Sequence, residues 1–149
     1  MERTLKLTLA VLAASVTASP GMSAEELVLL KCGASSGKAY FFDGEGWVND
    51  GISNGKIVLV GNAGGVEGKF DIRFDDSFSD IRRGYGYASD GASVFQVAAA
   101  QGRFSFIAAH DNYTDQYTFD TNRNEVLWTS HKVGTLVPKV ALYFAECAP

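Results

Sequence analysis

In Lys69-Phe70-Asp71-Ile72-Arg73-Phe74-Asp75 every second side chain is apolar and those between are charged. A strand sends successive side chains to opposite faces, so this run offers one face to a core and the other to water, as in an antiparallel sheet covered on one side. Shorter or less regular versions recur at 27–32, 38–42, 56–60, 81–88, 93–99, 103–110, 116–120, 126–131 and 140–147, separated by clusters of Gly, Asp and Asn. After residue 25 no apolar set at helical spacing interrupts them.

The connections carry turn chemistry. Asp43-Gly44, Asn54-Gly55, Asp90-Gly91 and Gln101-Gly102 can supply the positive φ that tight hairpins demand. Tyr117-Thr118-Phe119 and Val126-Leu127-Trp128, joined across 120–125, form the clearest hairpin, with aromatics to pair between strands. Residues 43–54 form the longest irregular gap and are expected to be a loop.

The pattern predicts an all-β, antiparallel up-and-down meander of about 8–10 strands. A closed or nearly closed β-barrel is the expected architecture, because closure removes exposed edges; a two-sheet β-sandwich is the alternative. Cys32 and Cys147 are the two cysteines and stand near the two ends of this β-rich region. In an oxidising compartment they are expected to bond and to set the first and last strands side by side.

The start of the chain points to such a compartment. A basic opening, Met1 to Lys6, precedes the apolar run 7–18, and Ser19-Pro20-Gly21 ends it. The run falls well short of the roughly 20 residues that cross a membrane. Residues 1–24 therefore read as a secretory signal peptide cleaved after Ala24, with cleavage after Ala18 the alternative, and 25–149 as a single β-barrel-like domain. The product is expected to be periplasmic or secreted, with no stable membrane insertion after cleavage.

Charge excludes one class of partner. With 17 acidic and 13 basic side chains the chain has a formal net charge of −4, spread without a block, so a nucleic-acid partner is not expected. Arg82-Arg83 beside Tyr85 and Tyr87 is the one basic and aromatic cluster. The carboxylates Asp71, Asp75, Asp76 and Asp80 lack the spacing of a calcium loop, and neither a metal nor a cofactor is predicted.

Candidate site residues come from the aromatics. Trp47 falls in the Gly-rich stretch 43–50, where a large ring must cover a barrel mouth, a ligand, a partner or the end of the core. Tyr85 and Tyr87, spaced by Gly86, are expected on one face of a strand, and Arg83 shares their parity and could anchor an anion. Trp47, Arg83, Tyr85 and Tyr87 are thus the expected ligand-binding set. The functional expectation is an exported, non-enzymatic binding protein of the bacterial cell envelope, taking a small apolar or anionic ligand or a protein partner. Two alternatives stand beside it: a secreted inhibitor or interaction module acting on another protein through 43–54, and a small hydrolase using His110 with nearby carboxylates such as Asp111 and Asp115.

Overall fold

The computed structural model describes residues 23–44, 46–52, 56–75 and 85–148. The expected signal segment 1–22 and Arg83 lie outside the described residues, as do Asp76 and Asp80. Ten strands follow in order: β1 (Leu27–Phe41), β2 (Gly46–Asp50), β3 (Lys56–Gly61), β4 (Phe70–Asp75), β5 (Tyr85–Gly86), β6 (Ser93–Ala100), β7 (Arg103–His110), β8 (Tyr113–Asp120), β9 (Glu125–Lys132) and β10 (Lys139–Ala148). All pair antiparallel in one sheet of order β5-β4-β3-β1-β10-β9-β8-β7-β6, with β2 also on β1. The fold is all-β, as the alternation requires, and there is a single sheet rather than a sandwich.

The first and last strands close on each other. Cys32 lies directly opposite Cys147 in the β1–β10 ladder, the two are bonded, and their Cα atoms are 3.7 Å apart. The ring is left open elsewhere. Among the described residues no ladder joins β5 to β6, so the sheet is an open, curled half-barrel whose seam falls in the middle of the chain. A 3₁₀ turn, Tyr87–Asp90, crosses that seam directly after β5.

Two expectations change in β1. The segments 27–32 and 38–42 are one strand of 15 residues, because the Gly-Ser-rich stretch between them makes a bulge between Cys32 and Ser35 instead of a turn. There β1 exchanges partners: its first half pairs with β3 and its second half with β2. Ser35 holds the junction, its N–H donating to Ile52 O at 2.8 Å and its Oγ accepting from Ile52 N–H at 2.8 Å. The stretch 43–54 is consequently not a plain loop, since it contains β2, with Trp47 in register with Tyr40.

Side chains opposite each other in a ladder share a face, and the inner face is a stack of lateral rows. Phe106, Tyr117, Trp128, Tyr143 and Gly37 follow one another in register across β7, β8, β9, β10 and β1. Tyr117 and Trp128, from the hairpin foreseen in the sequence, stack with centroids 5.5 Å apart. Gly37 is glycine because the Tyr143 ring crosses it; a Cβ there would collide with Leu142 O and Tyr143. From the far side of the core, Phe70 of β4 meets Phe106 edge-on at 5.1 Å. Gln101-Gly102, both at positive φ, turn the β6–β7 hairpin in two residues as expected.

Candidate functional site

Of the expected site residues, the described ones, Trp47, Tyr85 and Tyr87, are not brought together. Trp47 stands on the outer face, 64 % exposed, with its ring edge-on to Tyr40 at 5.6 Å. Phe42 packs against the other side of Tyr40, so Trp47, Tyr40 and Phe42 form an exposed aromatic patch at one end of β1. Trp47 is therefore not a core plug. Tyr85 is separated from it in the sheet by β4, β3 and β1.

Tyr85 and Tyr87 do not share a face. Regular pairing stops at Gly86 and the chain turns into the 3₁₀ segment, which breaks the period-two parity and drives the Tyr87 ring inward. Tyr85 remains 52 % exposed, whereas Tyr87 is 6 % exposed. Tyr85 lines an outer cleft of about 370 Å³ together with Lys69, Arg73 and Ser89. Arg73 there is engaged with Glu26 through two 2.7 Å hydrogen bonds, and this contact holds the Glu26 carboxyl below the usual range. Asp71 supports the turn from below: its Oδ1 accepts the Ala88 N–H at 3.1 Å, and Gly86 lies so close that a Cβ would strike the carboxylate.

Histidine chemistry does not assemble either. His110 Nδ1 lies 2.5 Å from Asn112 Oδ1, and its ring stacks on Tyr113 at 4.9 Å. Its partner is an amide, not the orienting carboxylate that a hydrolase would use. Among the described residues no cluster of His, Cys, Asp and Glu could hold a metal ion, and no helix is long and apolar enough to cross a membrane.

A different set of residues converges inside the half-barrel. Next to the aromatic row lies a second row, Ala108, Asp115, Ser130, Ala141 and Ala39, in register across the same five strands. All five are buried, Asp115 at 3 % exposure and Ser130 at 2 %. Asp115 Oδ2 accepts from the Tyr87 hydroxyl, which is 2.5 Å from the Tyr117 hydroxyl. Burial pushes both phenols well above the ordinary tyrosine range, so they stay protonated. Asp115 Oδ1 and Ser130 Oγ, on adjacent strands and directly opposite, have no hydrogen-bond partner among the described residues. An unmatched buried oxygen costs on the order of 1–3 kcal/mol, and these two face each other across one ladder.

A third row forms the rim: His110, Tyr113, Lys132, Lys139 and Phe41. Tyr113 is half-buried and donates to Asp90 Oδ2 at 2.7 Å. Lys139 Nζ is 2.5 Å from Asp50 Oδ2, which also accepts from the Tyr143 hydroxyl at 2.6 Å. Asp115 thus sits one row in from a partly open rim, with the seam turn above it and an aromatic wall beside it.

Sequence reasoning had Asp115 only as a neighbour of His110 and passed over Ser130. The signal was parity: Asp115 belongs to the inward set Tyr113, Tyr117 and Phe119, and a lone carboxylate in an aromatic set is informative. Comparison with family models, curated proteins and solved structures finds no match.

Proposed function

We propose that the chain is an exported binding protein that holds a small ligand with an apolar body against the inner face of the half-barrel. The observation that carries this reading is the facing pair Asp115 Oδ1 and Ser130 Oγ, buried, unpartnered and flanked by the Tyr117–Trp128–Tyr143 wall. Binding sites are concave and mostly apolar, with a few convergent polar groups that fix orientation, and the small-residue row beside an aromatic wall has that make-up. Export is supported by the signal-like start and by the Cys32–Cys147 bond, which suits a periplasmic or secreted protein.

Native mass spectrometry of the protein purified gently from its own compartment tests the proposal. The expected result is a second species carrying a small adduct that denaturation releases. A single unliganded mass, with no thermal stabilisation by small-molecule extracts, overturns it.

A second reading, an interaction module that meets a protein partner, rests on the exposed trio Tyr40, Phe42 and Trp47 on the outer face. Aromatic side chains of that kind are enriched in interface hot spots. The two readings use opposite faces of the sheet and are separable by substitution.

A further inference from the structure

From the unmatched acidic pair inside the half-barrel we infer that the ligand carries a compact organic cation, a primary ammonium group, seated on Asp115 and Ser130. The inference rests on the binding reading above and adds the ligand's chemical class.

Asp115 is a carboxylate taken almost wholly out of water, and among the described residues no basic side chain forms an ion pair with it. None of the described basic groups of the rim pairs with it. Lys139 is held by Asp50, Lys132 Nζ lies 5.8 Å from the Tyr113 centroid, and His110 binds Asn112. A buried carboxylate without a cation is costly, and it is stabilised by an opposite charge that also satisfies its lone pairs. The Tyr87 hydroxyl serves Oδ2, which leaves Oδ1 to be matched.

The surroundings suit a cation and not an anion. The Tyr87 hydroxyl donates to Asp115 Oδ2 and lies 2.5 Å from the Tyr117 hydroxyl, so the carboxylate meets neutral hydroxyls and no cation, at the edge of an aromatic cluster that Tyr113, 5.8 Å from Tyr87 centroid to centroid, extends. Ser130 Oγ adds a neutral acceptor opposite Oδ1. Ala108, Ala141 and Ala39 hold the row to small side chains, which limits the head group to a few heavy atoms.

Calorimetric titration of the oxidised protein with n-butylammonium, n-butanol and butyrate varies the head group on one body. The ammonium probe should bind at least about tenfold more tightly than the neutral one, and butyrate should not bind. Asp115→Asn, which keeps an acceptor for Tyr87, should erase the preference, and Ser130→Ala should weaken ammonium binding about threefold or more while the fold is kept. Should Asp115→Asn fail to fold, Ser130→Ala decides alone.

Equal binding of the three butyl probes, or a preference for butyrate, overturns the charge assignment while leaving the protein a binder. Unchanged ammonium affinity in either folded variant overturns the site. Binding of no probe at all overturns the cation inference, and the mass measurement then decides separately whether the protein is a binder.

Discussion

Tyr87 and Asp115 meet across the interior, the phenol of one donating to Oδ2 of the other, although Tyr87 belongs to the short turn over the seam and Asp115 to a central strand. The contact ties the seam to the opposite wall. With Phe74 edge-on at 5.3 Å and Tyr117 at 6.0 Å, the Tyr87 ring is the piece of the turn that reaches the core. The seam is therefore held by side-chain packing and one polar chain rather than by a backbone ladder.

Alkaline sensitivity follows from that chain. Burial holds the Tyr87 and Tyr117 phenols above the pKa of about 10 they have when unfolded, so their stabilising effect is complete below pH 10 and is lost as pH rises beyond it. Urea midpoints should stay level from neutrality to about pH 9 and fall above pH 10, with the Tyr87 and Tyr117 rings ionising together with unfolding. Tyr87→Phe should flatten the alkaline limb and lower neutral stability by about 1–3 kcal/mol, because Asp115 loses its donor. Ionisation of Tyr87 or Tyr117 in the folded protein near pH 10, followed ring by ring in NMR spectra, would contradict their burial.

Acid acts through Asp50. Burial alone would raise its carboxyl pKa, but the hydrogen bonds from Lys139 and Tyr143 outweigh it and leave the group below its usual value. A depressed folded pKa gives stability that is present above the unfolded value near 4 and lost as pH falls through the folded one. Asp50→Asn should thus lower stability at pH 7 and flatten the decline below about pH 4, read from denaturant midpoints across an acid series.

Trp47 offers a clean separation of surface from core. Its exposure predicts that Trp47→Ala changes unfolding free energy by less than about 1 kcal/mol, the loss of one edge contact with Tyr40. A loss of 3 kcal/mol or more, the scale of a deleted core aromatic, would place the ring inside. Ligand affinity on the inner face should be untouched, whereas capture of a protein partner through the outer patch should fall.

The covalent closure should dominate overall stability. Cys32 and Cys147 are 115 residues apart, and a loop of that length constrains the unfolded chain by about 4–5 kcal/mol in the entropy model. Equilibrium unfolding of the oxidised protein against the double Cys→Ser variant measures this directly. A difference below about 1 kcal/mol would show that the β1–β10 ladder closes equally well without the bond.

Much of this architecture was legible because alternation is a local property. The strand at 69–75 and the hairpin joining Tyr117 to Trp128 follow from parity and turn chemistry within a short window, and the pairing of Cys32 with Cys147, 115 residues apart, follows from redox logic because the chain has two cysteines. What escaped depends on longer relations. Parity could not foresee that β1 would run through a Gly-Ser bulge and exchange β3 for β2, because the bulge is fixed by Ser35 meeting Ile52 seventeen residues on. Nor could it place Tyr87, since the strand ends at Gly86 where the backbone closes over the buried Asp71 carboxylate. The inner row was recoverable only in part: Asp115 breaks an aromatic pattern, but its apposition to Ser130 requires the register of β8 on β9.

Joining β1 to β10 near both ends of the domain also determines how the molecule bears load. Tension applied at the two termini runs through Cys32 and Cys147 and bypasses the 115-residue loop between them. Of the described residues outside the bond, 23–31 and Ala148 can be drawn out, roughly 3.4 Å for each residue peeled from its neighbouring strand. The seam and the buried row near Asp115 lie within the closed loop, so pulling on the ends leaves them mechanically silent until the sulfur–sulfur bond is cut.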